Sequence, residues 1–134
     1  MYLDISQVPD DEEILNGYLQ ASLGDTDQEA LWPVDAFRIL IPRDPNRAWR
    51  LICELIDRAP ESLLPTIGVS QLEDFISRHG LQFIDVIEQE ATKSHRFVEA
   101  LANIWITRGV FPSDVEARLV RASREAIEVL DGEP

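Results

Sequence analysis

The segment Asp44–Ala59, with the sequence DPNRAWRLICELIDRA, determines the class of fold. Asp44 followed by Pro45 is a typical helix start, because aspartate accepts a backbone N–H and proline suits the first helical position. Apolar residues then recur at helical spacing, which predicts a helix over 45–58 with one buried face. The expected core residues of this helix are Ala48, Trp49, Ile52, Leu55, Ile56 and Ala59.

Helical patterns continue on both sides of this segment, and no Asn-Gly or Asp-Gly turn joins two alternating strands as in a β-hairpin. The pattern therefore predicts an all-α protein, a single domain of six or seven short helices packed as antiparallel helical hairpins. We expect that domain over 1–134, with 1–9 as an N-terminal arm and 132–134 as a tail. Besides 45–58, the predicted helices are 10–23, 33–41, 70–80, 81–92, 94–107 and 113–130, with a helical turn over 60–67.

Capping patterns define the boundaries of these predicted helices. Ser70 with Glu73, and Ser113 with Glu116, have the serine–glutamate spacing of a capping box, which begins a helix. Ser94 is a further expected cap, and His79 is expected to cap the end of the helix over 70–80. Three glycines are predicted to end helices: Gly24, Gly68 and Gly80.

Length and composition describe an ordinary folded protein. The chain has 134 residues and is 45% hydrophobic, which is enough for one core. No apolar run approaches the roughly 20 residues that cross a bilayer, and no secretory pattern begins the chain. The single cysteine, Cys53, cannot form an internal disulfide. We therefore expect a cytoplasmic protein.

Charge is distributed unevenly along the sequence. Residues 1–37 contain nine acids and no Lys or Arg, whereas the rest of the chain contains 16 acids and 12 bases, for a total of −13. Such a block indicates a partner of opposite charge, or serves solubility alone. Elsewhere, pairs four residues apart predict ion pairs along helices: Glu54/Arg58, Asp74/Arg78, Asp114/Arg118, Arg121/Glu125 and Arg124/Glu128.

The acidic block supplies the candidate binding residues. Our first hypothesis is a non-enzymatic protein–protein interaction module, an immunity or inhibitor protein that mimics nucleic-acid charge and binds a basic partner such as a nuclease. Direct binding to nucleic acid or to an anionic membrane is disfavoured by the negative charge. The candidate partner-binding residues are Asp10, Asp11, Glu12, Glu13, Asp25, Asp27, Glu29, Trp32 and Asp35.

Simpler interpretations of the same residues stay open. Acids in a first helical turn stabilise the helix dipole, which accounts for two or three of the nine. Trp32 is either an aromatic anchor for a partner or a residue packed under a loop. A second hypothesis is a scaffold subunit or homodimer whose acidity serves only solubility. A third is a small-ligand binder or enzyme with a pocket containing Glu73, Asp74 or His79.

Catalysis, metal binding and cofactors are not expected. Cys53 lies on an apolar helix face, where a free cysteine usually packs as a small hydrophobic residue. The spacing of His79 and His95 does not form a metal-binding helix face, and His95 is expected at the surface. The chain also lacks the common nucleophile and nucleotide-binding motifs.

Several short segments together resemble a known family. They are Asp44–Trp49, Leu72–Gly80, Phe83-Ile84, Ile87-Glu88, Ala91, Arg96-Phe97, Ala100-Leu101 and Trp105. This series resembles a family of small bacterial helical proteins described only as a domain of unknown function, over roughly residues 10–125. The resemblance implies a bacterial source and an all-α fold, and it implies no activity.

Overall fold

Helices form nearly all of the structure that the computed structural model describes, which comprises residues 5–22, 32–104 and 112–130. No strand occurs in these ranges, so the all-α prediction is confirmed. Short 3-10 helices lie at Ile5–Gln7 and Glu61–Leu63, and a π-helical turn lies at Gly68–Leu72. The α-helices are α1 (Asp11–Ser22), α2 (Trp32–Arg43), α3 (Pro45–Arg58), α4 (Leu64–Ile67), α5 (Glu73–Lys93), α6 (His95–Leu101) and α7 (Ser113–Leu130).

The described helices belong to two compact units, one ending at Ala59 and the other beginning at Pro60. The first unit contains α1 to α3, and the second contains α4 to α7. The single domain over 1–134 stays a prediction. Within the expected arm over 1–9, the structure describes the short helix Ile5–Gln7; the expected tail over 132–134 lies outside the described residues.

Local capping sets the starts of two helices in the first unit, as predicted. The Asp10 carboxylate accepts the backbone N–H of Glu13 at 2.9 Å, immediately before α1. The Asp44 carboxylate accepts the N–H of Arg47 at 3.3 Å, and Pro45 occupies the first position of α3. These bonds satisfy donors that a helix start would otherwise leave unpaired, which explains why both starts could be predicted.

The core of the first unit forms where α1, α2 and α3 meet. Tyr18 and Phe37 contact edge to face across α1 and α2, with ring centroids 5.8 Å apart. On α3 the predicted core is correct except at Trp49, which is only partly buried, whereas Leu51 is buried. Trp49 lies just outside the buried stripe, because Ala48, Ile52 and Leu55 occupy its centre.

In the second unit, the predicted helix boundaries around Ser70 and Gly80 are wrong. α4, the π-helical turn and α5 follow one another without a break, and Leu63, Ile67, Gly68, Leu72 and Glu73 all have right-handed helical backbone angles. Ser70 does not cap a helix start, because its hydroxyl donates to the carbonyl of Thr66 within the continuous helix. The predicted helices over 70–80 and 81–92 are therefore one helical segment.

The two glycines in this segment allow neighbouring helices to approach closely. A Cβ atom on Gly68 would overlap the backbone carbonyl of Ala100 in α6. A Cβ atom on Gly80 would lie 3.0 Å from Cγ1 of Val115 in α7. Both glycines therefore have packing roles, and the prediction that they end helices is wrong.

His79 and the end of α6 also differ from prediction. His79 lies inside α5, where its ring contacts that of Phe75 at a tilted angle and that of Phe83 edge to face, with centroids 5.2 and 6.2 Å away, so it caps no helix end. Ser94 caps α6 as expected by accepting the N–H of Phe97, at 3.1 Å. α6 nevertheless ends at Leu101, so the predicted continuation of this helix is wrong for residues 102–104. The rest of the predicted continuation, 105–107, lies outside the described residues.

The early end of α6 has a local cause. The Asn103 side-chain amide donates to the carbonyl of Glu99 at 2.7 Å, and the N–H of Ile104 donates to the carbonyl of Leu101, only three residues earlier. Such side-chain bonds compete with the helical ladder. Farther on, α7 spans Ser113–Leu130 as predicted. None of the described helices is both long enough and apolar enough to cross a membrane.

Candidate functional site

Four of the predicted binding residues, Asp10 to Glu13, form one structural feature that we call the acidic turn. Asp10 caps α1, and Asp11, Glu12 and Glu13 follow in the first helical turn. Carboxylates in this position complement the positive end of the helix dipole. The helix therefore gains stability from these charges, which is the simpler interpretation that the sequence left open.

Arg47 of α3 pairs with Asp11, the second residue of the acidic turn. Its Nε lies 2.8 Å from Oδ1 of Asp11, and its Nη2 donates to the carbonyl of Pro9, also at 2.8 Å. The guanidinium thus binds both a side chain and the backbone just before α1. The pair joins residues 36 positions apart in sequence, so helical spacing gives no indication of it.

Arg58, at the end of α3, pairs with the next acid. Its Nη2 lies 2.7 Å from Oε2 of Glu12, its Nη1 lies 3.2 Å from Oε1, and its Nε donates to Glu54 at 3.1 Å. The hydrogen bond to Arg58 lowers the pKa of Glu12, against a smaller opposing effect of desolvation. The same hydrogen bond raises the pKa of Arg58. The predicted Glu54/Arg58 pair is confirmed, and the bidentate contact with Glu12 is one that sequence reasoning missed.

Glu13 differs from the other residues of the acidic turn. Its side chain is exposed and forms no ion pair among the described residues. Asp35 of α2, another predicted binding residue, pairs with Arg38 at 2.9 Å. Asp25, Asp27 and Glu29 lie outside the described residues.

Trp32, the predicted aromatic anchor, lies at the start of α2 and is partly buried. A Cβ atom on Gly17 of α1 would lie 2.7 Å from Cζ2 of Trp32 and 3.1 Å from Cγ of Pro33. The indole ring therefore lies directly over Gly17, which provides the space for it. This contact favours a packing role between α1 and α2 over a role as an exposed anchor.

The net charge is nearly equal in the two units, although charge is distributed unevenly along the sequence. Residues 1–59 contain twelve acids and five arginines, and residues 60–134 contain thirteen acids and seven bases, so the two parts carry −7 and −6. The difference arises because α2 and α3 bring their arginines into the same unit as the acidic block. The acidic block is thus less exceptional in the fold than in the sequence.

The second unit contains an ion-pair cluster of its own. Arg118 of α7 was predicted to pair with Asp114, but its Nε lies 3.0 Å from Glu88 and its Nη2 lies 2.5 Å from Asp85, both on α5. That prediction is wrong because the neighbouring helix offers two carboxylates, and they also raise the pKa of Arg118. Hydrogen bonding to Arg118 lowers the pKa of Glu88.

Asp74 and His79, two of the residues considered for chemistry, have structural contacts. Asp74 pairs with Arg78 at 2.9 Å, as predicted, and His79 lies in a cluster of three aromatic rings on α5. His95 is exposed at the start of α6, and Cys53 is partly buried on α3. Within the described ranges, no group of three or more His, Cys, Asp or Glu side chains could hold a metal ion. The predicted pairs Arg121/Glu125 and Arg124/Glu128 involve side chains outside the described part.

Fold and site together define a small all-helical protein whose acidic turn is held by arginines of a neighbouring helix. The chain belongs to a family of unknown function, DUF6869, which matches residues 21–127. The resemblance seen in the sequence is therefore confirmed at the level of the family. No curated protein and no solved structure matches the chain significantly. The acidic turn precedes the matched segment, so membership of the family says nothing about that turn.

Proposed function

We propose that this protein is a non-enzymatic interaction module whose acidic turn binds a basic protein. The observation that carries the proposal is the exposure of paired carboxylates: the side chains of Asp11 and Glu12 keep 46% and 66% of their surface exposed while bound to arginine. The partner class we expect is a nuclease or another nucleic-acid-binding protein, with this chain as its immunity or inhibitor protein. We expect this interaction in a bacterial cytoplasm.

The arginines support such a role by orienting the acids. An ionised carboxylate offers about four lone-pair positions, so a group that accepts from Arg47 or Arg58 can still accept from a partner. Side chains that are already ordered lose less conformational entropy on binding. Exposed charges at the edge of an interface mainly raise the association rate and make binding sensitive to salt.

Glu13 is the best residue for a test, because changing its neighbours would also change the stability of the protein. Asp10 caps α1, and Asp11 and Glu12 are ion-paired, so their reversal would confound stability with binding. The informative variant is Glu13→Lys. Glu99→Lys is its matched control, since Glu99 is also exposed on a helix and the charge change is the same.

The experiment is affinity capture from a lysate of the native host, with elution by a salt gradient. A basic protein should bind the unchanged chain and the Glu99→Lys control equally, and should leave Glu13→Lys at lower salt. The affinity should fall about fivefold, because an exposed ion pair contributes about 1 kcal/mol at most. Circular dichroism would establish that both variants keep their helices. Equal elution from all three proteins would refute the acidic-turn proposal and favour a scaffold role.

A further inference from the structure

We draw no further inference here: the strongest candidate, the Asp85–Arg118–Glu88 cluster between α5 and α7, consists of charges that already pair with one another, and the packing of these two helices is already favoured by the burial of Val115 and Leu119.

Discussion

At the scale of single residues, Gly68 has the closest obstacle to a side chain among the glycines that the structure describes. The residue has ordinary helical backbone angles, so alanine would suit its conformation and would improve helix propensity by about 1 kcal/mol. The obstacle is the carbonyl oxygen of Ala100, which belongs to the backbone of α6 and cannot move without shifting that helix. Steric overlap therefore outweighs propensity at this position.

We accordingly expect Gly68→Ala to lower the free energy of unfolding by about 1–3 kcal/mol, the usual range for overpacking a close contact. Urea denaturation would measure the change. Gly80→Ala is the comparison, because its nearest neighbour is a side-chain methyl of Val115, which can adjust more easily. A midpoint for Gly68→Ala equal to that of the unchanged protein would contradict the role assigned to this glycine.

The Glu12–Arg58 pair gives a second prediction at this scale, through pH. Because the folded pKa of Glu12 is lowered, its contribution to stability is present above the unfolded pKa and is lost as pH falls through the folded pKa. Glu12→Gln should therefore lower the melting temperature at pH 7 and have a progressively smaller effect below about pH 4. Melting curves between pH 7 and pH 2 would measure this, with Glu99→Gln as an exposed control. If the difference in melting temperature between Glu12→Gln and the unchanged protein were the same at every pH, the Glu12–Arg58 ion pair would not stabilise the fold through the lowered pKa of Glu12.

At the scale of helices, Arg118 links α7 to α5 in addition to apolar contacts. Val115 and Leu119 are fully buried, and burying such side chains contributes about 1.5–3 kcal/mol each, which exceeds the value of a partly exposed ion pair. Apolar burial thus holds α7 in the fold, and the ion pairs to Asp85 and Glu88 help to fix the orientation of α7 against α5. Loss of the ion pairs should loosen α7 without unfolding the second unit.

Hydrogen exchange can measure this loosening in the variant Glu88→Gln. We expect faster amide exchange in α7, with circular dichroism unchanged, because Arg118 would lose its charged bidentate partner. Asp74→Asn is the matched control, since it removes an ion pair within α5 that joins no second helix. If both variants changed exchange in α7 equally, the interhelical role of Arg118 would be wrong.

At the scale of the whole molecule, the single domain over 1–134 stays a prediction, and the division into two compact units suggests how to test it. Chains of about 60 residues bury a smaller share of their surface than chains of about 130, so each unit alone would be marginally stable. We therefore expect one cooperative unfolding transition for the chain of 134 residues. Calorimetry would measure it, and tryptophan fluorescence should report the same midpoint. Two separate unfolding transitions would show that the units are two domains. In that case, Gly68→Ala should lower the midpoint of only one transition, because Gly68 lies in the second unit.

The sequence alone determined the class of fold and several helix ends. Asp44, Pro45 and Ser94 are helix-start residues whose effect extends over three or four neighbours, and the structure confirms all three positions. These features could be predicted because capping and helical periodicity are interactions within one or two turns. The acidic turn could be located for the same reason, since it lies in a single stretch of sequence.

Tertiary structure alone decided what several of those residues contact. Gly68 and Gly80 resemble helix ends in sequence, but helices α6 and α7 pack against them. The acids of the acidic turn look uncompensated in sequence, but arginines 36 and 46 residues away neutralise two of them. Local patterns hold no information on contacts at such separations, because those contacts depend on where the other helices pack.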